Sequence, residues 1–198
     1  IGGFPYADGL WATAFGYNST AIGEQAHALG VGADAQGYIA TAVGGTAAAI
    51  GDGATGIGSN ARANGAYATA LGANSFATGD HAIALGNGSY ANREGSIASG
   101  LLATADGVGS IAIGQFAKTG GQRPSDPVDP GDPGECWICG PAATAVNWPE
   151  DADYAVAIGN NSQAFGTGGL ALGYGALNLG DNSVALGSGS LSDRDNTV

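Results

Sequence analysis

Residues 68–86, Ala68 to Gly86, read ATALGANSFATGDHAIALG, and the stretch repeats one phrase nearly three times. Gly72, Gly79 and Gly86 recur at intervals of seven. Carried outward, this phase puts glycine at every seventh position from Gly2 to Gly121, with Arg93 as the one exception. From Ala14 to Ala112 the residue two before each of these positions is alanine, Gly56 excepted. The residue four before is alanine or serine throughout, from Ala12 to Ser110. A fixed period this strict marks a repeat architecture.

Residues two apart share one face of a β-strand, because side chains alternate along it. The Ala/Ser, Ala and Gly positions therefore give each strand one face with almost no side chain. A helix fits poorly, since a heptad needs large apolar residues at two positions, and each interior glycine costs about 1 kcal/mol against alanine. Small inward residues mean two backbones packed close together. After the glycines come pairs such as Asp52-Gly53, Ser59-Asn60, Ala73-Asn74 and Asn87-Gly88, which is turn chemistry. The predicted unit is a five-residue strand followed by a two-residue turn.

The outward face separates a period of seven from one of fourteen. Just before alternate glycines stand Phe15, Leu29, Val43, Ile57, Leu71, Leu85, Ser99 and Ile113. The other set reads Asp8, Ile22, Gln36, Ile50, Asn64, Thr78, Asn92 and Asp106, and is mostly polar in its C-terminal half. The first set is joined on its apolar side by Ile83, Ile97 and Ile111. The true repeat is thus a fourteen-residue coil of two short strands, stacked about 4.8 Å apart. One sheet of this all-β solenoid faces an apolar surface and the other faces water. A contiguous apolar stripe of that length marks an interface. It predicts an obligate homo-oligomer closed around a shared axis. The residues assigned to that interface are Leu29, Val43, Ile57, Leu71, Ile83, Leu85, Ile97, Ile111, Ile113, Ile158, Leu172 and Leu186.

The pattern seen at Ser19 to Gly30 and again at Ala68 to Gly86, together with the sentence DNSVALG at 181–187, resembles the YadA-like heads of trimeric autotransporter adhesins. The resemblance spans nearly the whole chain. It implies a left-handed parallel β-roll, a homotrimer, and a place on a Gram-negative cell surface, with outer-membrane anchoring through other parts of a parent chain. It also implies adhesion to a host extracellular-matrix or cell-surface protein. LSDRDNTV at 191–198 looks like the start of the neck that follows such heads. The expected organisation is a roll over 1–121, a Pro/Asp-rich insertion over 122–153, the roll resumed over 154–187, and the neck from 188.

Composition bounds the function classes. The chain has 198 residues, 38 of them glycine, with 11% charged and a net charge of −12. That acidity argues against nucleic acid and against direct contact with an anionic membrane. There is no leader-like start and no run of eighteen apolar residues, so the chain reads as a piece of a longer protein rather than a precursor or a membrane span. Its periodic glycines make any local phosphate-loop match an artefact of the repeat. No catalytic constellation, cofactor or metal site is expected.

The stretch from Gly121 to Asp153 breaks the pattern. It holds six of the seven prolines, both cysteines and two of the three tryptophans, and the roll resumes after it shifted in phase by three. Cys136-Trp137-Ile138-Cys139 admits three readings: a thioredoxin-type redox site, a zinc site or a structural disulfide. The redox site lacks its strand and helix, and zinc lacks two of its four ligands. The expected state is a disulfide between Cys136 and Cys139 or between protomers. Trp137 and Trp148 are expected to pack the insertion down, and are also the candidate ligand contacts. His27, on the apolar side, reads as a packed neutral histidine, with a metal or pH-sensing role as the rival. His81 reads as a solvated turn residue. Arg62, Phe76 and Tyr90 fall on the solvent side, where exposed aromatics are either incidental or ligand contacts. At Arg93 a bulge or widened turn is expected.

Three functions fit. One is an adhesin head binding host molecules by multivalent, shallow contacts. The second is a stalk or spacer whose parent carries the binding elsewhere. The third is an ice- or surface-binding solenoid, suggested by Thr13, Thr41, Thr55 and Thr69 and weakened by the isoleucines that replace them further on.

Overall fold

A computed structural model of the chain describes residues 3–120 and 152–198. These residues form a parallel β-solenoid of about eleven coils with no helix. Three-residue strands, from Thr13–Phe15 to Val184–Leu186, stack into an eleven-stranded sheet. Two-residue strands, from Tyr6–Ala7 to Leu191–Ser192, stack into a twelve-stranded sheet. Except across the insertion, each strand pairs in parallel with the strand fourteen residues on, as in Thr69↔Ile83, Ala70↔Ala84 and Leu71↔Leu85. The strands are shorter than the predicted five residues because each coil turns at its glycine. The ladder nonetheless continues round the corners: Gly30 N–H donates to Phe15 O and Gly32 N–H to Tyr17 O, both at 2.8 Å.

The interior between the sheets is filled by alanine. Ala21, Ala42, Ala70, Ala98 and their equivalents are fully buried and form one continuous cluster up to Ala117, and a second runs from Ala152 to Ala176. Where serine replaces alanine its hydroxyl group is hydrogen-bonded. Ser19, Ser75, Ser89 and Ser162 each donate to the carbonyl of the glycine three residues before, at 2.8–3.0 Å. That geometry satisfies a hydroxyl in a place with no water.

The two corners of each coil need glycine for different reasons. After the three-residue strands, every glycine from Gly16 to Gly187 has φ between +113° and +142°. That region strains any side chain. After the two-residue strands the glycine has no such φ. There the constraint is contact, since a Cβ at Gly65 would lie 2.0 Å from the carbonyl oxygen of Gly79. Arg93, Ala152 and Arg194 all stand at this second kind of corner, opposite Gly79, Gly107 and Gly180. Arg93 causes no bulge: the registers Phe76↔Tyr90 and Tyr90↔Thr104 run past it unbroken.

Each turn also places its second residue in the left-handed region. Among the described residues these positions recur every seven within each stretch of roll, with φ of 49–66°. Asn18, Asn60, Asn74, Asn161, Asn182 and Asn196 suit it, as does glycine at Gly32, Gly53, Gly88 and others. Trp11, Ile39, Thr46, Tyr67, Leu102 and Phe116 adopt it as well. Left-handed geometry costs a side chain roughly 1–2 kcal/mol.

The insertion leaves the ladder undisturbed. Ile113 pairs with Ile158, and Val108 N–H donates to Asp153 Oδ1 at 2.8 Å. The roll therefore resumes at Ala152, two residues earlier than expected. At the other end, residues 188–198 do not leave the roll. Leu191–Ser192 pairs with Leu177–Asn178, and Val184 N–H donates to Thr197 O at 2.7 Å. Arg194 and Asp195 form another corner of the same kind, which is why the charges there do not signal a departure.

One interior site breaks the small-residue rule in a compensated way. Asn178 takes an alanine position, fully buried, and its Nδ2 donates to Ser183 O at 2.8 Å and Oγ at 2.6 Å. Its Oδ1 lacks a hydrogen-bond partner. Residue 169, an alanine or serine position elsewhere, is glycine here; a Cβ on it would lie 2.2 Å from that Oδ1. Gly169→Ala should destabilise the roll by about 1–3 kcal/mol through overpacking. Adding Asn178→Ala should recover most of that loss, measured as a double-mutant cycle in urea unfolding.

Candidate functional site

The outward face of the eleven-stranded sheet carries the apolar row. Leu29, Val43, Ile57, Leu71 and Leu85 lie in direct register, and the line continues through Ser99 to Ile113, Ile158, Leu172 and Leu186. Phe15 extends it by one coil at the N-terminal end. A second row, two residues earlier on each strand, contains Ile83, Ile97 and Ile111 and runs on to Val156, Leu170 and Val184. All twelve residues assigned to an interface thus share one face. Leu71 is 47% exposed and Ile158 37%. Val43, Ile83, Leu85, Ile97 and Ile111 are half-buried by their neighbours along the row. His27 sits in the second row between Thr13 and Thr41, and is exposed. Thr55 and Thr69 follow in that row before the isoleucines begin.

The outward face of the twelve-stranded sheet is chemically different. Register stacks Arg62, Phe76 and Tyr90 on consecutive coils. The Phe76 and Tyr90 rings are 5.0 Å apart and within 5° of parallel, and the Arg62 guanidinium carbon lies 5.9 Å from the Phe76 centroid. Beside them runs a polar row in which Thr78 Oγ1 donates to Asn92 O at 3.1 Å and Asn92 Nδ2 donates to Asp106 Oδ1. The in-register coils make this ladder, because identical positions sit directly above one another.

The corner after each two-residue strand holds a third feature. Here an aspartate at the first turn position accepts the backbone N–H of the same position one coil earlier. Asp52 Oδ1 takes Tyr38 N–H at 2.8 Å, Asp80 takes Ala66 N–H at 2.9 Å, and Asp181 takes Thr167 N–H at 2.8 Å. At the second turn position Tyr67 and His81 stack at 5.3 Å, within 5° of parallel. His81 is therefore packed on a ring rather than simply solvated. Sequence reading missed this corner because it treated turn residues as interchangeable; bulky side chains at positions otherwise held by Asn and Gly were the available signal.

Cys136, Cys139, Trp137 and Trp148 lie outside the described residues. Among the described residues, no group of three or more His, Cys, Asp or Glu is placed to hold a metal ion.

The repeat that builds these faces is a known one. The YadA head domain repeat (2 copies) matches residues 9–26, 14–33, 49–75, 77–103, 94–117, 105–122, 151–176 and 179–198. The chain belongs to the YadA head family. It is an adhesin head domain, and membership implies a place at the cell surface. The match over 179–198 assigns the last residues to the head repeats, in agreement with their position in the roll. Among solved structures, the collagen-binding domain of the Yersinia adhesin YadA aligns with 98% of this chain and 68% of its own, at 21% identity and a TM-score of 0.31. No curated protein matches the chain.

The aromatic ladder is a measurable part of this YadA-type surface. Phe76→Ala removes both the ring stack and the cation contact, and should lower unfolding stability by about 1–2 kcal/mol. Arg62→Gln, which keeps the ring pair, should lower it by less than about 1 kcal/mol. Urea titrations of the two variants make the comparison.

Proposed function

We propose that the chain is the binding head of a homotrimeric bacterial surface adhesin that attaches to host extracellular matrix or cell-surface molecules. The observation that supports this most directly is an apolar row running the full length of one face of a head-family roll. In a lone chain that row stands in water. Seven of the twelve residues are 37–65% exposed, and covering that part contributes about 1 kcal/mol apiece, which favours a permanent assembly. Three identical rolls around one axis bury three identical faces and leave the opposite sheets outward. The three outward faces then meet a repetitive ligand together, and avidity raises weak single contacts by orders of magnitude. Fibrous matrix proteins offer such repetition, and collagen is the first to try because the aligned Yersinia domain binds it. In this reading the head is held at a Gram-negative outer membrane by other segments of its parent. Trp137 and Trp148 supply further ligand contacts from the insertion, and Cys136 and Cys139 form a disulfide. The match is to head repeats, which does not favour a spacer.

Light scattering with and without reductant should give three chain masses in both conditions; a monomer overturns the shared face, and a trimer that dissociates on reduction places the disulfide between protomers. Leu71→Asp combined with Leu85→Asp should abolish the trimer, because a buried unpaired carboxylate is strongly destabilising. The intact trimer should bind immobilised collagen or another matrix protein, with affinity about a hundredfold above that of any monomeric variant. A folded trimer that binds neither matrix proteins nor host cells removes the adhesive role.

A further inference from the structure

The corner after the two-residue strands changes character along the roll. In its C-terminal half the left-handed position is held by residues that suit it, Gly95, Gly109, Gly168, Asn182 and Asn196, with Tyr154 as the exception. In its N-terminal half alternate coils place Trp11, Ile39 and Tyr67 there, with φ of 54–59°, between Gln25, Gly53 and His81. All three side chains are exposed, at 69%, 47% and 63%. Backbone strain at side chains this open to solvent is not offset by full burial. The Tyr67 ring lies flat over Gly53, where a Cβ would come within 2.7 Å of its Cδ1, and stacks on His81. The result is a ridge along one edge of the first six coils.

The turns that carry the ridge are also acidic. Glu24, Asp52 and Asp80 occupy the first turn position, and residues 10–11, 24–25, 38–39, 52–53, 66–67 and 80–81 include no lysine or arginine. Asp52 and Asp80 are held in place by the backbone N–H groups they accept. A second copy of this chain, at net charge −12 with five Lys and Arg, is a poor match for such an edge. An extended cationic segment is a good one. Lysine or arginine stems lie along rings while their charges meet carboxylates, and a cation over a ring face adds to the attraction. Six coils at about 4.8 Å span roughly 24 Å, the length of about seven extended residues.

We propose that this ridge, centred on Trp11, Ile39 and Tyr67 with Glu24, Asp52 and Asp80, is a docking edge for an extended basic segment of a partner protein. As a partner surface of the head it rests on the adhesin reading, but its test does not use matrix binding. The probe is a fluorescein-labelled peptide of about seven residues alternating arginine and leucine. Its counterpart carries glutamate in place of arginine. Anisotropy titration of the intact chain should show saturable binding of the first, weakened by salt, and none of the second. Ile39→Gly with Tyr67→Gly relaxes the backbone while removing the ridge. That variant should keep or raise Tm, keep its solution mass, and bind the peptide about tenfold more weakly. Asp52→Asn with Asp80→Asn keeps an oxygen for each backbone N–H and removes the charge, and should weaken binding by a similar factor. Equal binding by the variants or by the glutamate peptide overturns the proposal. A lowered Tm makes the ridge structural, and a changed mass makes it a contact between copies; either result also overturns it. Peptide binding without matrix binding would sink the adhesive role and leave the ridge standing.

Discussion

The distance between the two sheets is the constraint on which everything else depends. Their backbones approach so closely that only Ala, Ser and Gly fit between them, and the buried residues are almost all of these types. Such an interior removes little apolar surface per residue, so it cannot be the main source of stability in the way a core of Leu and Phe is. Two other contributions take over. One is the parallel ladder, which bonds each coil to the next round most of its circumference. The other is whatever covers the outward rows. The large apolar side chains are outside because there is no room for them inside.

Stacking in register then turns sequence period into surface chemistry. A residue type repeated every fourteen positions becomes a line along the roll, and a few consecutive coils suffice to make a patch. The row from Leu29 to Leu186, the Arg62–Phe76–Tyr90 ladder and the acidic corner at Asp52 and Asp80 are three such lines on three sides. Each is altered by single substitutions without disturbing the others, since side chains on different sides do not touch.

Much of this was legible in the sequence. The glycine phase, the small inward positions and the apolar set before alternate glycines yield the coil length, the number of sheets and the face that is apolar. What was not legible is physical in each case. Turn residues looked alike because φ leaves no mark in the one-letter code, so the left-handed Ile39 and Tyr67 passed as ordinary. The two kinds of corner glycine also looked alike, so Arg93 suggested a bulge. Yet it stands where only contact, and not φ, excludes a side chain. Charge at Asp193, Arg194 and Asp195 suggested an exit from the roll, whereas Asp195 accepts Asp181 N–H at 2.8 Å and closes another turn. Asn178 and Gly169 were invisible as a pair, since they touch only through the fold.

The register across the insertion has an evolutionary side. Ile113 meets Ile158, and Asp153 meets Val108, as if the residues between Gly120 and Ala152 had never been added. A scaffold that re-engages in this manner separates two kinds of selection. Mutations in the coils are screened by the spacing of the sheets, whereas the cargo spliced into a corner escapes that screen. A segment can therefore be added or exchanged at such a corner while the supporting rod keeps its register.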